Sequence, residues 1–260
     1  IVYPNHGAGS ACGKNMSAET TDTLGHQKEV NYALRSDMTK EEFIEELLEG
    51  LTPPPGYFPQ NVTMNIKGYD SYDSVMKKGK TPLSAEAFKA AANKQGAVIL
   101  DVRNQRDYAQ GHIPRSIFIG LDGEFAPLVG ALIANVKQPI LLVAPSGRED
   151  EAITRLSRVG FDNTIGYLHG GFDTWKNSAM EYDTVTAIYA MAFKDAILNN
   201  NALVYDARKE SEFNIEHVVG AKHTCLSTLT NKISEYPKGR NFYLHCEGGY
   251  RSMIAASILK

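Results

Sequence analysis

The strongest constraint on this chain is that its second half nearly repeats its middle. From about residue 81, short β-branched runs alternate with helical stretches: Ala97-Val-Ile-Leu-Asp101, Ser116-Ile-Phe-Ile119 and Pro139-Ile-Leu-Leu-Val143. Each run is followed by an amphipathic segment, which is the pattern of βα units around a parallel sheet. The pattern returns at an offset of 105 residues: Asp101-Val-Arg103 as Asp206-Ala-Arg208, Tyr108 as Phe213, and Gly111-His112 as Glu216-His217. At the next strand the offset drops to 102, where Leu142-Val-Ala144 matches Leu244-His-Cys246, because the second connection is three residues shorter. Two homologous α/β domains with parallel sheets flanked by helices, over 81–180 and 181–260, are the simplest account.

The two copies are not equally long. The first continues through a helix at Glu149–Val159, a strand at Thr164–Leu168 and Gly170-Gly-Phe-Asp-Thr-Trp175. The second stops at Lys260 inside the first of these, so roughly twenty residues of a complete domain are expected beyond it. Residues 1–80 differ in kind. Helices are predicted around Gln27–Leu34 and Glu41–Leu48, followed by Pro53-Pro-Pro-Gly-Tyr-Phe-Pro59, which reads as a linker.

Bulk composition narrows the function classes. A net charge of -3 and a pI near 6.2 supply no basic field for nucleic-acid phosphates or anionic lipid, so small molecules or proteins are the expected partners. No run approaches the roughly 18 apolar residues that a membrane span needs. The start Ile-Val-Tyr-Pro lacks an initiator Met, which predicts a longer chain upstream. Three widely spaced cysteines, Cys12, Cys225 and Cys246, argue against a disulfide framework and for a reducing, cytoplasmic compartment.

One of these cysteines has the setting of a nucleophile. Strand Asn241-Phe-Tyr-Leu-His245 delivers Cys246 to a turn containing Gly248 and Gly249, after which Arg251-Ser-Met-Ile-Ala-Ala-Ser reads as a helix. A strand, a glycine loop and a helix N-terminus aim successive backbone N–H groups into one concavity, which suits an anion. The loop amides, the helix dipole and the Arg251 guanidinium all favour the thiolate, the nucleophilic form. Glu247, Gly248, Gly249, Tyr250 and Ser252 complete the predicted substrate-binding loop.

Asp206-x-Arg208, Glu216-His217-x-x-Gly220-Ala221 and Cys-x-x-x-x-Arg-Ser together resemble a rhodanese domain. The resemblance implies that Cys246 takes sulfur from thiosulfate or a low-molecular-weight persulfide, holds it as Cys–S–SH and yields it to an acceptor thiol or other nucleophile, with Arg251 steadying the charge. A cysteine phosphatase would carry Cys-x5-Arg, and here that position is Ser252; His245-Cys246-Glu247 is nonetheless similar to one rhodanese-like phosphatase group, and that reading stays as a minor alternative. In the first copy the aligned loop is Ala144-Pro145-Ser146-Gly147-Arg148-Glu149, with no nucleophile and an acid at the Arg251 position. That copy is predicted to be catalytically inactive. The rival to an enzyme is a non-catalytic sulfur-carrier or docking module. Asp101, Arg103, Asp206, Arg208, His112 and His217 recur in both copies and are read as structural.

Residues 1–80 resemble the C-terminal end of a metallo-β-lactamase-fold protein of the persulfide dioxygenase and glyoxalase II branch. Tyr3-Pro-Asn-His6-Gly-Ala-Gly-Ser10-Ala-Cys12-Gly carries the likeness, with Asn31, Tyr57-Phe58 and Asn65-x-x-Gly68. The resemblance implies a metallo-β-lactamase-fold domain fused to tandem rhodanese domains, active in persulfide metabolism. The fold's His-x-His-x-Asp-His motif is absent from these residues, so no cofactor is assigned to this chain, and iron or zinc would belong to an upstream domain. His6 is carried as a landmark and not as a ligand, and Cys12 as a packed thiol. Association into a homo-oligomer stays open.

Overall fold

The computed structural model describes residues 1–5, 18–48, 55–200 and 202–260. The chain forms two compact units, Ile1–Pro54 and Pro55–Lys260. His6 and Cys12 lie outside the described residues.

In the first unit, α1 (Leu24–Val30) is capped by Thr23, whose hydroxyl accepts from the His26 N–H, and a 3-10 turn follows at Tyr32–Leu34. α2 (Lys40–Leu48) begins in a capping box. The Thr39 hydroxyl accepts from Glu42 N–H, and the Glu42 carboxylate accepts from Thr39 N–H at 2.8 Å.

The second unit opens with two helices, α3 (Phe58–Lys67) and α4 (Tyr72–Gly79), where the sequence reads as a linker through Pro59. The difference has a plain cause. Pro59 sits in the first turn of α3, where a missing N–H costs nothing, and such a proline looks the same in sequence as one in a loop. β1 (Pro82–Leu83), α5 (Ala85–Gln95), β2 (Val98–Asp101), α6 (Gln105–Gln110), β3 (Ile117–Phe118), α7 (Phe125–Leu132), β4 (Ile140–Val143), α8 (Glu149–Ser157), β5 (Thr164–Leu168) and α9 (Gly171–Asn177) follow. The five strands form one parallel sheet in the order β1-β5-β4-β2-β3. β4 is buried along its whole length because helices cover both faces. Its Ile140 and Leu142 join the cluster with Phe118, Phe125 and Ile153, and Leu141 and Val143 join Phe88, Leu168 and Trp175 on the other face.

The remaining elements are α10 (Ala190–Asn200), β6 (Val204–Asp206), α11 (Glu210–Ile215), β7 (Lys222–His223), short 3-10 turns at Leu226–Asn231 and Ile233–Glu235, β8 (Tyr243–His245) and α12 (Tyr250–Leu259). The second sheet is parallel, in the order β7-β6-β8. This is the order β3-β2-β4 of the first sheet. The registers confirm both offsets, since Asp101 pairs with Val143 and Asp206 with His245. A single apolar cluster runs through both copies and includes Phe118 and Val129 from the first and Leu226, Leu229 and Ile254 from the second. Among the described residues, no helix is long and apolar enough to cross a membrane.

Candidate active site

β8 and α12 place Cys246 where the sequence expects a loop nucleophile. The chain leaves β8 at His245, turns through Cys246 to Gly249, and enters α12 at Tyr250. Gly249 has φ 84°, a left-handed conformation that a residue with a Cβ adopts only at a cost, so glycine is required here. Gly147 in the first copy, at the offset of 102, has φ 82°. Both loops therefore turn the same way.

The turn folds backbone donors onto sulfur. Gly249 N–H donates to Cys246 Sγ at 3.2 Å and Ser252 N–H at 3.4 Å. Cys246 Sγ lies 3.5 Å from Ser252 Oγ, to which the thiol donates, and that hydroxyl donates on to the Gly249 carbonyl. Two amides and the first turn of a ten-residue helix thus converge on one half-buried sulfur, an arrangement that suits negative charge on that atom or on a sulfur bound to it. Gly248 contributes no atom to this cradle that a Cβ would disturb; its surroundings are open.

Arg251 is placed more tightly than the sequence suggests. Its guanidinium forms a two-pronged pair with the Glu212 carboxylate of α11, at 2.6 and 2.9 Å, and lies 3.7 Å from Glu247 Oε2. The Arg251 guanidinium holds the Glu212 carboxyl down at about 2, and Glu212 in turn raises Arg251. Arg251 still adds favourable field at Cys246, but much of its charge is shared with Glu212. Glu247 is 84% exposed at the rim.

Tyr250 departs from its expected place among the substrate-binding residues. Its ring packs edge-on against Phe118 at 5.8 Å, and its hydroxyl donates to the Gly120 carbonyl at 2.7 Å, so the side chain is committed to the first copy. The physical reason is the docking of α12 on β3. Burial pushes the phenol well above its ordinary value and keeps it a donor.

Sequence reasoning missed Glu212, although one signal was present: an acid recurs at the aligned position Asp107. It also passed over His245. That imidazole lies 3.5 Å from Asp206 Oδ2 without a hydrogen bond, its Nε2 is buried and unpartnered, and burial lowers its basicity against the pull of Asp206. Asp206 is held by Arg208, whose Nη2 donates to Oδ2 and to the Glu216 carbonyl, both at 2.7 Å. Arg103 makes the same two contacts with Asp101 and the Gly111 carbonyl. Shared by the copy that lacks a cysteine, these clamps brace a strand–helix junction rather than serve sulfur chemistry. The ring pairs Tyr108–His112 and Phe213–His217, stacked at 4.0 and 3.9 Å, repeat likewise.

Cys225 follows β7 with its sulfur 3.2 Å from Ser227 Oγ and no glycine loop around it. In the first copy Arg148 pairs with Asp122 and Glu151, each at 2.8 Å, and Glu149 opens α8. Among the described residues, no three His, Cys, Asp or Glu side chains are grouped to hold a metal ion.

Two parallel sheets of matching strand order, one of which leads into a cysteine cradled by backbone amides, define the class as an α/β protein with a loop cysteine at a helix N-terminus. The sequence pattern of the rhodanese-like domain matches residues 84–178 and 190–260. The chain belongs to the rhodanese-like domain family, which supports a sulfurtransferase-type function at the level of the family. It is 30% identical over 89 residues to the thiosulfate sulfurtransferase GlpE of Pseudomonas fluorescens (strain SBW25), an alignment covering 34% of this chain and 78% of that protein. Among solved structures it is similar to a metallo-β-lactamase from Staphylococcus aureus subsp. aureus COL, at 31% identity and a TM-score of 0.47, covering 64% of this chain and 43% of that one. A thiosulfate sulfurtransferase from Pseudomonas aeruginosa matches at 18% identity and a TM-score of 0.36, covering 72% and 43%. The chain thus spans less than half the length of either solved structure.

Proposed function

We propose that Cys246 is the nucleophile of a sulfur-transfer cycle in persulfide and sulfide metabolism. The observation that carries this reading is the pair of backbone N–H groups, from Gly249 and Ser252, aimed at Cys246 Sγ. The thiolate attacks the sulfane sulfur of a donor, forming a Cys246 S–S bond as the donor's own bond to that sulfur breaks. Thiosulfate leaves as sulfite and a persulfide leaves as its thiolate. An acceptor thiolate then attacks the outer sulfur, and Cys246 departs as the thiolate it was. The cradle supports every stage, because the charge sits on Sγ or on the sulfur beside it. Arg251 steadies that charge, and Gly248, Gly249 and Ser252 shape the space for the transferred atom.

A low-charge persulfide suits the loop better than a dianion, since Glu212 and Glu247 both face Arg251. The likeness of residues 1–80 to a metallo-β-lactamase tail would set this activity beside a metal-dependent hydrolase or persulfide dioxygenase, in the cytoplasm. The first copy, without a nucleophile, serves as a scaffold.

Intact mass after incubation with a sulfur donor tests the reading. Wild-type protein gains one sulfur that reductant removes. Cys246→Ser gains none, and Cys12→Ser and Cys225→Ser load as the wild type does. Loss of loading in either of the latter two variants, with Cys246→Ser still active, overturns the assignment. Turnover with thiosulfate and cyanide separates an enzyme from a carrier that loads once.

A further inference from the structure

We propose that the cysteine-free copy positions the sulfur loop of the other copy, and that Tyr250 is the positioning residue through which it does so. The inference rests on the reading of Cys246 as a sulfur nucleophile and concerns what holds its cradle in shape.

The loop has little packing of its own. Gly248 and Gly249 have open space around them, and the Glu247 side chain is exposed. Both amides that reach Sγ belong to residues flanking Tyr250: Gly249 precedes it, and Ser252 lies two positions on. Whatever fixes Tyr250 therefore fixes the direction of both donors. Arg251 is tied within its own copy, to Glu212. Tyr250 is tied to the other one.

The seat for Tyr250 is built by the first copy. Phe118 offers its ring at 5.8 Å and 73°, and the Gly120 carbonyl accepts the hydroxyl at 2.7 Å. Two glycines make the room. A Cβ on Gly123 would overlap the Tyr250 ring, and one on Gly120 would come within 3.2 Å of its Cε2. The seat is itself held from behind: Arg148 grips Asp122 at 2.8 Å, and Arg155 donates to the Leu121 carbonyl. At the offset of 102, Arg148 is the counterpart of Tyr250. The segment Gly120–Gly123 is thus gripped from both sides, by the first residue of α12 and by its counterpart in the first copy. Seven residues along α12, Ser257 Oγ accepts the Phe118 N–H at 3.0 Å. The helix that carries the cradle is therefore tied to the copy that lacks a cysteine at its first residue and again two turns on.

Gly123→Ala tests this without touching the sulfur copy. Its backbone is outside the left-handed region, and the three atoms nearest the new methyl group all belong to the Tyr250 side chain. With Tyr250 displaced, the amides lose their aim, and the sulfur-loading rate constant falls roughly tenfold, the scale of a partly lost anion-stabilising donor. The midpoint of the loading rate against pH moves upward, because the thiolate is less favoured; general destabilisation would not move it. Tyr250→Ala does the same, and Gly123→Ala added to Tyr250→Ala has no further effect, since the two act through one contact. Tyr250→Phe, which keeps the ring and loses one hydrogen bond, shows a smaller fall and guards against a variant that fails to fold. A wild-type protein that loads sulfur while these variants keep its rate and its pH midpoint overturns the inference alone, as do additive effects in the double variant. A wild-type protein that takes up no sulfur overturns the sulfur reading and this inference with it.

Discussion

Glu247 follows the nucleophile directly in the chain, and reversing its charge measures what this exposed acid does to an incoming donor. Its carboxylate is 84% exposed and 3.7 Å from Arg251 Nη2. A thiosulfate dianion approaching Arg251 meets the field of this acid as well as an arginine whose charge is already shared with Glu212. Glu247→Lys changes the rim by two unit charges, each acting on a doubly charged donor. At a separation of about 7 Å in water, with a Debye length of about 8 Å at 0.15 M salt, the change is worth roughly a fivefold lower KM for thiosulfate. At 0.01 M salt the Debye length is about 30 Å, and the same arithmetic gives roughly twentyfold. A singly charged persulfide should respond by the square root of these factors, about twofold at 0.15 M. Steady-state KM with cyanide as acceptor, at both salt concentrations, is the assay. A KM for thiosulfate that does not change at either salt refutes the reasoning and places the carboxylate away from the donor's path.

Glu212→Gln tests the clamp on Arg251 through its pH dependence. The Glu212 carboxyl lies below its ordinary 4.5, at about 2, so the pair contributes stability that is present above pH 4.5 and lost as pH falls toward 2. Because the pair is partly open to solvent, its loss costs about 1 kcal/mol at neutral pH. Urea unfolding should show that deficit at pH 7 and less than half of it at pH 3; an equal deficit at both would remove the ionic cause. In the first copy, Ala144→Cys alone should stay largely unreactive in a Cys246→Ser background, because Glu149 stands where Arg251 stands in the active loop and disfavours a thiolate. Adding Glu149→Arg should raise the rate of sulfur loading, read as mass gain over time. Equal rates for the single and double variants would show that the charge at 149 is irrelevant and the loop alignment wrong.

Much of the architecture was legible because both copies express it locally. Apolar runs mark β2 and β4 within a residue, and the strands read at Thr164–Leu168 and Asn241–His245 match β5 and β8 within two, since burial on both faces of a parallel sheet demands apolar residues at successive positions. The change of offset from 105 to 102 was equally readable, and the strand registers agree with it. α3 was not legible, because a proline in a first helical turn and a proline in a loop are the same letter.

What the amino-acid order determined by itself was the repeat, the strand-turn-helix around Cys246 with Gly248 and Gly249 in its turn, and the missing nucleophile at Ala144. These are properties of neighbouring residues, and short-range sterics and hydrogen bonding suffice to specify them. Tertiary structure decided the rest. Glu212 lies 34 residues before Cys246 and meets Arg251 only because β6 lies beside β8 and carries α11 to the mouth of the loop. Tyr250 reads in sequence as one more loop residue. It leaves the substrate side because α12 docks on β3, and burying its ring on Phe118 over Gly120 and Gly123 stabilises the molecule more than exposing it at the loop would. Periodicity reports which side of an element is apolar, but which surface that side meets depends on contacts between residues far apart in the chain.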